Sequence, residues 1–392
     1  MSRETVQVEN LEFPAPAQAS GWQSRALIIG LLGAVGCVIG GFLQLNIFLR
    51  GYLIAYMFWT GLSLGCLALL MVQYLSGGLW GLVIRRFLEA GAKVLPMMAV
   101  LFLPILFLRT HLYGWMTDPV KENHWYLNTP NWIARYVLYF VIWIILAKAL
   151  TNWSARLDSP WKIYPRFTGI SGVGCVLYAL TTSFAAVDWV MSLDPHWGST
   201  IYGLIFLVGQ GLSALCFSII MLTVVTRSEP YASIVKPMQF HDIGKLTLAF
   251  VMLFAYFSFS QWLIIWSGNL PDEISWYLQR IRGYWGFIIL AIVLFHFALP
   301  FCMLLSRSLK RAGRRLVPLA LLLMFMRLVD IYWYTIPNFK DVAYLSIWYV
   351  IAPIGVGGLW LAYFFYNLRQ RPLIPAYDPQ TPLFLNQHGH EH

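Results

Sequence analysis

Charge is scarce in this chain. Of its 392 residues only 11% are Asp, Glu, Lys or Arg, where ordinary soluble domains carry about 25%. Cysteine is sparse as well: Cys37, Cys66, Cys175, Cys216 and Cys302 stand singly, none at the spacing that holds zinc or an iron–sulfur cluster. A membrane b-type haem takes two histidines at matched depth, but only His296 lies inside an apolar stretch, while His111, His124, His196 and His241 fall at the ends of such stretches or between them. His388, His390 and His392 close the polar tail and suggest no more than adventitious metal binding. These absences lead to the expectation that the chain itself binds no haem, metal or cluster. What is abundant is apolar surface, 59% of the residues, with 18 Trp, 21 Tyr and 26 Phe. A single water-soluble globule could not hide that much. A cytosolic enzyme, a secreted disulfide scaffold and a nucleic-acid binder are excluded, and the chain reads as an all-α polytopic membrane protein.

A hydrocarbon core about 30 Å thick takes roughly 20 apolar residues per helix. Ten stretches qualify, near 26–49, 53–75, 94–109, 132–150, 168–192, 199–226, 243–267, 284–306, 316–336 and 344–368. They form a transmembrane domain over 25–369, flanked by polar tails at 1–24 and 370–392. The first tail lacks a basic region followed by a short apolar core, so no cleavable signal is expected. An even number of spans puts both termini on one face. Nineteen Lys and Arg lie on that face and seven on the other, with Arg327 alone inside a span. By the positive-inside rule the terminal face is cytoplasmic and the net charge of +10 is an orientation signal. The proline-rich tails, uncovered by any apolar face of their own, are expected to lie extended on partner subunits.

A weak repeat runs through the spans. Trp125-Tyr126-Leu127-Asn128 and Trp276-Tyr277-Leu278-Gln279 are 151 residues apart and each follows an acidic, proline-containing turn, at Asp118-Pro119 and at Pro271-Asp272-Glu273. Gly91-Ala92-Lys93 and Gly244-Lys245 open the preceding spans at nearly the same offset. Units of four spans insert with the same sense and are related by an axis along the membrane normal, which predicts two parallel four-helix bundles plus two extra helices.

Ionisable groups in hydrocarbon are costly and call for a functional hypothesis. Arg327, Asp330 and Tyr334 fall within about 60° of one helix face and can form a buried polar cluster; a structural ion pair locking the span is the alternative. Asp188 and Ser192, with Thr181, share a face of the fifth span, where Asp188 precedes the turn and a proton-carrying or quinone-facing role is open to it. Asp242, Lys245, Tyr256 and Ser260, with Met252 and Ser267, form a row along the seventh span that could relay protons; the alternative is Asp242 as a helix cap, Lys245 as an interfacial anchor and Ser260 as a packing residue. His296 opens His296-Phe-Ala-Leu-Pro-Phe301, where Pro300 frees a backbone carbonyl in mid-membrane. The ten residues Asp188, Ser192, Asp242, Lys245, Tyr256, Ser260, His296, Arg327, Asp330 and Tyr334 are the candidate proton path. No residue is assigned to a quinone.

Taken together, Asp188-Trp189 through Gly203, the His241-to-Leu246 entry, Tyr256 to Trp262 leading into Asn269 to Glu273 and Trp276 to Arg280, His296 to Phe301, and Met326 to Pro337 resemble the ActF-type subunit of bacterial alternative complex III. That subunit, also called quinone-binding subunit 2, is related to the NrfD-like, polysulfide-reductase-type membrane proteins. The resemblance is dense over about 184–337 and weak before it. It implies a ten-helix subunit of a quinol:cytochrome c (or other acceptor) oxidoreductase in the bacterial inner membrane, beside an ActC-like sibling and under periplasmic haem c and iron–sulfur subunits. Quinone or menaquinone would be its ligand if it binds one. A membrane anchor of a related NrfD-type reductase and a secondary transporter are the alternatives.

Overall fold

The computed structural model describes residues 13–118, 125–159, 167–339 and 344–386. The sequence expectations at His124 and the three terminal histidines lie outside these residues, as do Pro119 of the first acidic turn and Lys121 and Lys340, two of the seven Lys and Arg counted on the face opposite the termini. Among the described residues the regular structure is helical throughout. Among the described residues ten helices are long and apolar enough to cross a membrane: Ala19–Leu43, Leu45–Ser76, Leu79–Phe107, Thr129–Asp158, Phe167–Leu193, Tyr202–Val225, Pro237–Gly268, Tyr284–Leu305, Gly313–Asn338 and Trp348–Leu368. They are numbered here as spans 1 to 10.

Spans 2–5 form one four-helix bundle and spans 6–9 the other. Spans 2 and 6, the most enclosed of the ten, pack against each other at the centre. Spans 1 and 10 form an antiparallel pair laid against span 2. Lipid and helix surface are equally apolar, so close packing of small residues drives such pairing. The span 1–10 crossing is built on Gly30, Gly33, Gly355 and Gly358: a Cβ on Gly33 would lie 2.3 Å from the Gly355 Cα, and one on Gly358 would lie 2.4 Å from the Gly30 nitrogen. Gly355→Leu is therefore expected to destabilise the subunit by ~1–3 kcal/mol, the range for overpacking, at the upper end because the atoms met are backbone. A lowered unfolding midpoint in detergent checks this, with Gly21→Leu, which faces open space, as the unaffected control.

The helix boundaries depart from the sequence expectation in one consequential place. Span 3 begins at Leu79 rather than near 94, after a turn in which Gly77 and Gly78 adopt φ of +69° and +96°. Arg85, Arg86, Glu89 and Lys93 thus belong to the helix. Arg50 and Arg135 also lie within helices, so Arg327 is not the only arginine in a span. At Arg85, Arg86 and Arg135 the charge is accommodated because opposite charges meet inside the fold, whereas Arg50 lies 4.3 Å over the Phe339 ring.

The repeat holds at the level of the bundles but not at its marker motifs. Asn128 caps span 4, its side chain accepting from the Asn131 N–H at 2.9 Å, with Trp125 exposed. Trp276 and Tyr277 are instead buried in a short amphipathic helix, Pro271–Ile281.

The C-terminal tail also departs from expectation. Its described part lies on this chain's own terminal face: Leu373 N–H donates to Phe13 O (2.8 Å), Tyr377 N–H donates to Leu157 O (3.1 Å), and Phe384 and Leu385 are buried. Proline supplies the bends, while a carboxylate and a few apolar side chains supply the attachment.

Candidate functional site

In the second bundle, the Arg327 guanidinium pairs with Asp330 one turn along span 9, and both are buried. Gly209 on span 6 makes room for it, since a Cβ there would lie 2.3 Å from the Arg327 Cζ. The Phe206 ring lies 5.0 Å from the same carbon. Tyr334, a turn further along the same helix, is buried among Tyr202 and Phe206 with ring centroids 5.3 and 5.6 Å away. His296 approaches from span 8 with its ring 4.3 Å from Phe254, in a segment that packs against span 9. The structure thus brings Arg327, Asp330, Tyr334 and His296 into one region.

His296 is unusual in two respects. It is completely buried and neither ring nitrogen makes a hydrogen bond. It also sits in Ile292–Ala298, which is wound as a π-helix. Pro300 lacks an N–H and would collide with the carbonyl of residue 296 in a regular α-helix, and widening the turn relieves that collision.

In the first bundle, Asp188 is held differently. Arg135 on span 4 donates to it twice, Nε to Oδ2 and Nη2 to Oδ1, both at 2.8 Å, and Tyr139 Oη donates to Oδ2 at 2.7 Å. Its backbone carbonyl accepts from Trp132 Nε1 (3.0 Å) and Ser192 Oγ (2.7 Å). Arg135 in turn lies 3.9 Å over the Tyr126 ring. Arg135 is one of the seven Lys and Arg that the sequence places on the face opposite the termini; its i, i+4 relation to Tyr139 puts both donors on one helix face, but nothing in the sequence names Asp188 as what they share.

Between the bundles, Tyr178 Oη on span 5 donates to Gln210 Oε1 on span 6 at 2.8 Å. Beside them, Thr60, Thr182, Trp189 and Gln210 line an internal cavity of about 10 Å³. The two threonine hydroxyls and the Trp189 indole N–H have no hydrogen-bond partner. Such a space holds about one water, and these are the groups to bind it.

The span 7 row is not part of this interior. Tyr256 is 63% exposed, Met252 and Ser267 face outward, and Ser260 is only half-buried. Asp242 pairs with Lys245 at 3.2 Å on the exposed surface, and since the helix begins at Pro237, Asp242 is not its cap. The inner face of span 7 is instead given over to Ile243, Thr247, Val251, Phe254 and Gln261.

Sequence reasoning missed two further groups. On the terminal face, Arg86 pairs with Glu89 (2.7 Å) and Asp158 and donates to Ser154 Oγ (3.1 Å) and Pro372 O (3.1 Å). Arg85 pairs with Asp378 of the tail at 2.5 Å, and Arg371 lies 3.8 Å from Glu89. On the opposite face, Arg280 is fully buried under the Trp276 ring (3.6 Å) and donates to Trp276 O and to Asn338 Oδ1 (2.5 Å). Burial pushes its pKa down to about 9, which leaves it protonated at neutral pH. Each group has one partner within a helical turn, Glu89 for Arg86 and Trp276 for Arg280, but a spacing argument misses the rest because Asp158, Asp378 and Asn338 are 58 to 293 residues from the arginines they meet.

Among the described residues no three of His, Cys, Asp and Glu gather in a way that could hold a metal ion. Comparison with known protein families and with curated proteins finds no match, so the reading of function rests on the buried polar groups themselves.

Proposed function

We propose that this chain is a proton-handling, non-redox membrane subunit of a quinol-oxidising complex of the alternative complex III type, with both termini in the cytoplasm of a bacterial inner membrane. The observation that carries the proton role is His296, buried with both ring nitrogens unpaired in the stretch of span 8 that packs against span 9, the helix of the Arg327–Asp330 pair. Quinol oxidation releases two protons with its two electrons, and a carboxylate and an imidazole are the side chains suited to accept them. Electrons would leave through haem c and iron–sulfur subunits. The partners are the ActC-like sibling and those subunits, and the quinone pool supplies the substrate; the resemblance over 184–337 supports this assignment.

The two buried aspartates have different parts in this reading. Asp188 accepts three hydrogen bonds from two side chains of span 4, which suits a lock between spans 4 and 5. Asp330 has one cationic partner on its own helix, and a carboxylate with spare lone pairs can take up a proton.

Asp330→Asn keeps the shape and removes the titratable group. In complexes reconstituted into vesicles it is expected to leave subunit yield intact and to slow quinol-driven acidification by about 100-fold, the lower end for losing one acid–base group. Normal yield with unchanged acidification overturns the proton role. If the variant is lost from the complex, the pair Arg327→Met and Asp330→Leu decides: restored assembly with acidification still broken supports the role, and restoration of both overturns it.

A further inference from the structure

A slot of about 560 Å³ opens on the lipid side between spans 1, 2, 9 and 10. That volume falls within the roughly 300–1,000 Å³ usual for small-molecule sites. Its mouth is formed by Trp22 and Arg25 at the start of span 1 and Phe365 near the end of span 10; its deep end is formed by Trp59, Leu328 and Pro353. Pro353 to Phe365 of one helix measures ~18 Å at a rise of about 1.5 Å per residue. Half of a bilayer core about 30 Å thick is similar, so the slot runs from one interface to about the membrane midplane.

We propose that this slot is a specific site for an anionic glycerophospholipid, its acyl chain lying along the slot and its phosphate meeting Arg25. Three features select that occupant. The wall is almost wholly apolar, and the indole N–H of Trp59 at the deep end is already donated to Pro353 O at 2.8 Å. A quinone head, whose carbonyls need donors, has none free there. Polarity rises only at the mouth, where Trp22 suits the interface and Arg25 has no acidic residue among the slot's lining to pair with. Arg369, which donates to Gln23 at 2.9 Å, adds a second cation at the same end of the helix pair. Basic groups at the interfacial mouth of an interhelical cleft favour anionic headgroups.

The experiment is native mass spectrometry of the full chain after exhaustive detergent washing, followed by add-back of phosphatidylglycerol or phosphatidylcholine. The wild type is expected to retain one phospholipid and to prefer phosphatidylglycerol by about tenfold. Leu361→Trp, which fills the slot, is expected to lower occupancy at least tenfold; Ile354→Trp serves the same purpose if that variant does not fold. Val350→Trp, exposed on the same helix outside the slot, is expected to retain the lipid. Arg25→Gln is expected to keep one lipid and lose the headgroup preference. Occupancy unchanged by both slot-filling variants, no retained lipid in the wild type, a retained quinone in its place, or undiminished preference in Arg25→Gln would each overturn the proposal.

Discussion

Arg135→Met is expected to remove the subunit from the membrane. The substitution leaves the Asp188 carboxylate, 1% exposed, with Tyr139 as its one remaining side-chain donor. Stranding one partner of a buried pair costs about 3–5 kcal/mol, a large share of the roughly 5–15 kcal/mol that holds a typical domain together. The arithmetic differs for the double replacement. Arg135→Met with Asp188→Leu removes both charges, and buried pairs replaced by apolar residues of similar size are often neutral. The double variant should therefore return to near wild-type abundance. Immunodetection of membrane fractions and size-exclusion profiles measure this. Equal loss in the single and double variants would mean that Asp188 has a role beyond locking the two spans.

The second large effect is expected at Arg86. Arg86→Met takes the cationic partner from Asp158 and the nearer of two from Glu89, because Arg371 stands 3.8 Å from Glu89. It also frees the carbonyl of Pro372, and so loosens the C-terminal strap. The expected cost is at least about 3–5 kcal/mol, accompanied by protease access to the segment near residue 373 that the wild type resists. Arg86→Lys keeps the charge but cannot reproduce the forked geometry of donors to four groups, and should fall between the two. A strap that stays protected in Arg86→Met would show that Arg85–Asp378 and the apolar contacts hold it unaided.

These arginines show what the sequence could and could not reveal. Ten spans and two bundles were legible because hydropathy and length dominate membrane folding. Arg327 and Asp330 were legible because one helix wheel contains both partners. Asp188 was legible as a buried acid but its partner was not, since Arg135 is 53 residues away on another helix. Arg85 and Arg86 were misplaced for a physical reason: hydropathy prices each charge as though it faced lipid alone, whereas here Glu89, Asp158 and Asp378 cancel the cost. The span 7 row failed for the opposite reason. A wheel shows which residues share a face, but not whether that face looks inward, and the row with Tyr256 looks outward.

The ion pair between Arg85 and Asp378 also sets an order in time. Its two members are 293 residues apart, and at about 5–20 residues per second of synthesis the acid follows the base by ~15–60 s. Throughout that interval the first bundle is inserted with Arg85 unneutralised by its final partner. The same guanidinium can therefore act first as a topological marker at the membrane surface and only later as a latch. The first bundle is closed on this side only when the last part of the chain has been made, so that a ribosome stalled before residue 378 would leave a subunit correctly oriented but not sealed.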